Sequence, residues 1–146
     1  MRSPKIIVVA GAHSNIGKTT LAGQLSALLD KAVRVKIGHH PMKEHGDKNY
    51  YYAGTTFSEI LADNQGCRFL IIESNQILKQ IKPDCLIFLT GPGKTKPSAE
   101  AALIAADIIR GMYLDTVQQR RIAAVLGINM AAVRKIIELS GAYLQK

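Results

Sequence analysis

Residues 5–10 are apolar at both alternations and rich in β-branched side chains. That pattern marks a strand buried on both faces, as in the centre of a parallel sheet. Residues 11–17 break the run with two glycines. From Lys18 the period changes to that of a helix, with Leu21, Leu25, Leu28 and Leu29 at i, i+4, i+7 and i+8. Residues 32–37 alternate and predict a short strand. Residues 39–54 are polar and irregular, with Pro41, Gly46 and the run Tyr50, Tyr51, Tyr52. A long stretch without an element is often functional.

The second half repeats the alternation. Residues 57–63 predict a short helix, 68–73 and 84–90 two further buried strands, and 75–81 a helical turn before Pro83. Residues 91–97 read as a loop. Ser98 is placed to cap an alanine-rich helix over 99–107, and 108–111 as a last short strand. From Asp115 the pattern is helical only. Strands alternating with helices predict a three-layer α/β fold, a parallel sheet flanked by helices, with a C-terminal helical hairpin. The expected division is residues 1–112 and a tail over 113–146.

Composition narrows the chemistry. Hydrophobic residues at 47% and charged residues at 21% exclude a disordered chain. With no tryptophan and 5% aromatics, a base-stacking platform for single strands is not expected. Nineteen Lys and Arg against eleven Asp and Glu give a net charge of +8, which points to an anionic partner. Cys67 and Cys85 sit in apolar strand contexts and form no metal or disulfide pattern. Buried thiols in a reducing cytoplasm are the expectation. No apolar run reaches membrane-spanning length, and IIVVAGA passes straight into polar HSNIGKTT, unlike a signal peptide.

The strongest local signal is AGAHSNIGKTTL at residues 10–21, between a buried strand and an amphipathic helix. Gly17, Lys18 and Thr19 match the end of G-x-x-x-x-G-K-[ST], while Ala12 stands at the first glycine position with Gly11 before it. In a phosphate loop of this kind, backbone N–H groups of His13, Ser14, Asn15, Ile16, Gly17, Lys18 and Thr19 would wrap a β-phosphate. The helix N-terminus adds partial positive charge. Lys18 would reach the β- and γ-phosphates, Thr19 would offer its hydroxyl to Mg²⁺, and Thr20 would touch the α-phosphate. Gly93, Lys94 and Thr95 repeat the tripeptide between prolines with no helix opening, so they read as a loop beside the site.

Glu73 ends a buried strand at its carboxyl edge, where nucleoside triphosphatases of the phosphate-loop class place a carboxylate near Mg²⁺. The other reading is an acid capping the next helix. Ser74 and Asn75 are further candidates for phosphate or metal-bound water. The segment VKIGHHPMKEHGDKNYYYAG carries Lys36, His39, His40, Lys43, His45 and Lys48. Its spacing fits a basic loop over an anionic ligand better than a zinc site. Asp47 is its acid within reach of Mg²⁺ or an attacking water.

Together GAHSNIGKTTL, VKIGHH, HGDKNYYYAGTT, FLIIESN and IKPDCLIFLTG resemble the molybdopterin-guanine dinucleotide biosynthesis protein B family, over about residues 5–110. The resemblance implies a P-loop NTPase-like sheet and a GTP-binding protein with weak GTPase activity. Its cofactor would be Mg²⁺ with GTP. It implies an accessory role in attaching a guanine nucleotide to molybdopterin, with the pathway's nucleotidyltransferase as partner. It carries phosphate and Mg²⁺ binding onto Gly17, Lys18 and Thr19. His39, His40 and Asp47 fall in the region facing the γ-phosphate or cofactor, and Glu73 at the acidic strand end. The chain has no N-K-x-D sequence for guanine recognition, so ATP stands open beside GTP.

In the tail, Gln119, Ala123, Gly127, Val133 and Ile136 have helix-turn-helix spacing, and Arg120, Arg121, Arg134 and Lys135 could meet DNA phosphates. The preferred reading is a hairpin packed on the domain or a partner, with a solvated basic face. Three functions follow: a nucleotide-binding accessory protein, a nucleotide-responsive DNA-binding module, and an ATP-dependent ligase or kinase on a small molecule. A homodimer covering the sheet edges is a further expectation.

Overall fold

The computed structural model describes residues 3–13, 15–38 and 49–145. In chain order the elements are β1 (Lys5–Gly11), α1 (Lys18–Leu28), β2 (Ala32–Gly38), β3 (Tyr50–Tyr52), α2 (Phe57–Asp63), β4 (Phe69–Glu73), a 3₁₀ turn (Gln76–Lys79), β5 (Cys85–Leu89), α3 (Pro97–Ala105), β6 (Ile108–Ile109), β7 (Tyr113–Leu114), α4 (Thr116–Leu126), α5 (Met130–Leu139) and β8 (Tyr143–Leu144).

The six-stranded sheet runs β3-β2-β4-β1-β5-β6, and each pairing is parallel. All carboxyl ends therefore meet along one edge, and β1 lies inside between β4 and β5. The doubly apolar strands follow from this: their side chains alternate between two cores. Ile7 and Val9 of β1, Phe69 and Ile71 of β4, and Ile87 and Leu89 of β5 face α1, where Leu21, Ala22 and Leu25 are buried. Val8, Leu70, Ile72, Leu86 and Phe88 face the other side, against Ile60 of α2, Ile77 of the 3₁₀ turn, and Ala99 and Ala102 of α3. The molecule is thus α/β with a parallel sheet flanked by helices on both faces.

The α4–α5 hairpin packs on the α1 side. Ile122, Leu126, Val133, Ile136 and Ile137 belong to the same buried cluster as Ile7, Val9 and Leu25. Asp115 caps α4 through a reciprocal box with Gln118, and Asn129 caps α5 by accepting from the Ala132 N–H at 2.8 Å.

Four sequence expectations change. Tyr50–Tyr52 is a strand, not part of an irregular segment; it pairs with Lys36–Gly38 of β2, and the Tyr51 hydroxyl donates to Asp63 of α2 at 3.0 Å. Helix α3 begins at Pro97 with Lys96 at the N-cap position, so Ser98 lies inside the first turn and is not the cap. Proline's fixed φ and missing donor suit that first position. Leu28 is exposed and Ala22 takes its place on the buried face, while Leu29 folds in just past the helix end. The tail is not helical only: β7 and β8 pair as a small parallel ribbon.

Candidate functional site

The loop leaving β1 is fixed before it reaches α1. The Asn75 side chain holds Gly11 from both sides, accepting from its N–H at 3.0 Å and donating to its carbonyl at 3.0 Å. The Ala12 N–H donates to the Leu89 carbonyl, and the Ala12 carbonyl accepts from the Lys96 N–H. Alanine fits at this position because the left-handed residues of the turn are Asn15 (φ 59°) and Gly17 (φ 107°) instead. Ile16 plugs the space behind the loop, so a Cβ on Gly11 would lie 2.6 Å from its Cγ2. His13 donates through Nε2 to the Pro92 carbonyl at 3.2 Å, tying the loop to the segment after β5.

Helix α1 starts at Lys18 with no side-chain cap and no acid in its first turn. Its leading N–H groups face a cavity of about 680 Å³ at the carboxyl edge, lined by His13, Asn15, Ile16, Gly17, Lys18, Thr19, Thr20 and Glu73, with Lys36, Tyr50 and Lys96 among the others. Lys18 is half-buried. Burial lowers its ammonium below the ordinary range, Glu73 opposes that shift, and Lys36 and Lys96 add to it. The Thr19 hydroxyl donates to Glu73 Oε1 at 2.7 Å. Glu73 is 4% exposed and lies in register with Val9 of β1 and Lys36 of β2.

Ser74 Oγ accepts from the Ile77 N–H of the following 3₁₀ turn at 3.1 Å, and Glu73 Oε1 accepts from Thr19. Ser74 and Asn75 line the cavity, and each also bonds backbone: Ser74 the Ile77 N–H, Asn75 both sides of Gly11. Ser14, His39, His40 and Asp47 lie outside the described residues.

Sequence reasoning missed Lys96 and Tyr50, which line the cavity, and Arg110 beside it. Lys96 arrives on the loop after β5, and its only signal was that loop's place at a carboxyl strand end. Tyr50 is 3% exposed, and its ring packs so closely on Gly38 that a Cβ there would collide with it. Arg110, at the end of β6, donates to the Thr90 carbonyl at 3.1 Å, and its Nη2 would sit 3.3 Å from a Cβ on Gly17.

No family model matches this chain, and no curated protein matches it. The site must be judged by its own chemistry. Lys18, Lys36 and Lys96 line one cavity with a buried carboxylate that a hydroxyl already engages. Such an excess of cations beside uncapped helix N–H groups suits a polyanion. Among the described residues no three His, Cys, Asp or Glu side chains converge as a metal cage. Thr19 with Glu73 fits Mg²⁺, which keeps waters and takes phosphate oxygens to complete its shell. Among the described residues no helix is long and apolar enough to cross a membrane.

Proposed function

We propose that this protein binds a magnesium nucleoside triphosphate at the carboxyl edge and hydrolyses it slowly, as a P-loop NTPase. The observation that carries this reading is the 2.7 Å contact between Thr19 and the buried Glu73, beside a half-buried Lys18 at the start of an uncapped helix. The loop N–H groups and Lys18 would hold the β- and γ-phosphates, and Lys18 would hold charge on the bridging and terminal oxygens. Thr19 and Glu73 would hold Mg²⁺, directly or through water. The metal, when bound, neutralises charge developing on the phosphates. Among the described residues no arginine lines the cavity, and Arg110 is turned to the Thr90 carbonyl. Slow turnover by the isolated protein is the expectation.

The resemblance to the molybdopterin-guanine dinucleotide biosynthesis protein B family supports GTP as the nucleotide. It also supports an accessory role beside a molybdopterin nucleotidyltransferase. Calorimetry with GTP, ATP and their diphosphates, each with and without Mg²⁺, tests both levels. Triphosphate binding strengthened by Mg²⁺ supports the P-loop reading, and preference for GTP supports the family reading. Equal, weak binding of all four nucleotides would refute both.

A further inference from the structure

The α4–α5 hairpin, packed on the α1 side, carries a second surface. In the unit from Gln119 to Glu138, Ile122, Leu126, Val133 and Ile136 are buried, and Ala123 and Ile128 are half-buried between the helices. Gly127 turns the chain in the left-handed region at φ 67°, and residues 127–129 alone connect α4 to α5. Helix contact through a small residue, a left-handed turn of three residues and a capped second helix are the parts of a helix-turn-helix.

What this unit leaves outside is equally specific. On α5 the outward positions are Ala131, Arg134, Lys135 and Glu138, at i, i+3, i+4 and i+7. They form one face that holds no large apolar side chain. On α4, Arg120 is exposed, and Arg121 is exposed beside a cleft that Asp84 and Asp107 also line. Lys135 lies 3.9 Å from Glu138 across exposed surface, a pairing that solvent weakens. A protein partner would find no aromatic or aliphatic anchor on the α5 face. A duplex needs only cations that reach phosphates and a narrow helix that fits a groove about 12 Å wide.

We propose that α4 and α5 form a DNA-binding surface, with α5 entering the major groove and Arg120 positioned on the phosphate backbone. None of Arg120, Arg134 and Lys135 lines the nucleotide cavity. The proposal rests on these exposed charges and not on the nucleotide reading.

The test uses the full chain and a fluorescent duplex of random sequence, about 20 base pairs or two helical turns long. With Arg120, Arg134 and Lys135 at phosphates, affinity is expected to fall roughly 40-fold between about 50 and 200 mM salt. The variant R134A/K135A is expected to bind more weakly and to lose only about 4-fold over the same range. K79A/K82A, which removes two exposed lysines elsewhere, should keep the wild-type salt slope. Absence of duplex binding, equal effects of the two double variants, or equal competition by polyglutamate each overturns the proposal. All these substitutions lie at exposed positions, and thermal melts verify that the variants stay folded.

Discussion

Lys18→Met separates what the site costs the fold from what it does for a ligand. The ammonium is half-buried, and Lys36 and Lys96 act in the same unfavourable sense as its desolvation. Methionine keeps the length and flexibility of the stem and removes the charge. The ligand-free variant should therefore be more stable than the wild type by about 1 kcal/mol, a value held down by solvent screening of the exposed side. For a chain of this size that raises Tm by about 2–4 °C. The lowered ammonium fixes the pH dependence. Between its folded value and the ordinary 10.5, the unfolded chain holds a proton that the folded chain has lost, so wild-type stability rises with pH there. The gap to the variant should be widest at neutral pH and close toward pH 10.5.

With Mg²⁺ and triphosphate at about one hundred times Kd, the order should invert. The wild type gains about 2.7 kcal/mol from mass action. The variant loses a charge-assisted phosphate contact of about 1.5–3 kcal/mol, and with it most of that gain. Differential scanning fluorimetry at several pH values, with and without Mg²⁺–GTP, reads both effects. A variant less stable than the wild type without ligand, or one that keeps the full ligand-induced shift, refutes the reasoning.

Glu73→Gln keeps an acceptor for Thr19 and removes the charge. Mg²⁺-dependent hydrolysis should fall roughly tenfold or more while triphosphate affinity changes less, and equal turnover in a phosphate-release assay would remove Glu73 from metal chemistry. Asn75→Ala leaves the Gly11 N–H and carbonyl without their shared partner, so stability should drop by about 1–3 kcal/mol. Urea unfolding should show a lower midpoint at constant m; an unmoved midpoint would show that the Gly11 clamp contributes nothing.

Much of the sheet was legible because its central strands are buried on both faces, and few other local structures place β-branched residues at both alternations. β3 was not legible. It pairs through Lys36–Gly38 at the sheet's edge, and its tyrosines follow a basic polar segment with no apolar alternation. The two-residue strands β7 and β8 hold each other across the whole hairpin, a pairing no short window contains. The sequence motif picked out Gly17, Lys18, Thr19 and Glu73, and these do line one cavity. The backbone bonds of Asn75 and Ser74 were not legible, since an amide or hydroxyl that serves backbone looks the same in sequence as one that faces a cavity. Lys96 reaches the cavity only through the crossover after β5, and that placement depends on the strand order.

The same strand order sets a schedule for the ribosome. Residues 11–19 are made early, yet their tethers come late: Glu73 and Asn75 from the end of β4, Leu89 from β5, and Lys96 beyond it. At about 5–20 residues per second, several seconds of synthesis separate the loop from the last of them. During that interval the nascent loop has no folded form for a nucleotide to select. A nucleotide bound as proposed could stabilise this chain only after β5 and Lys96 have emerged and docked, acting on the finished sheet and not on its nucleation.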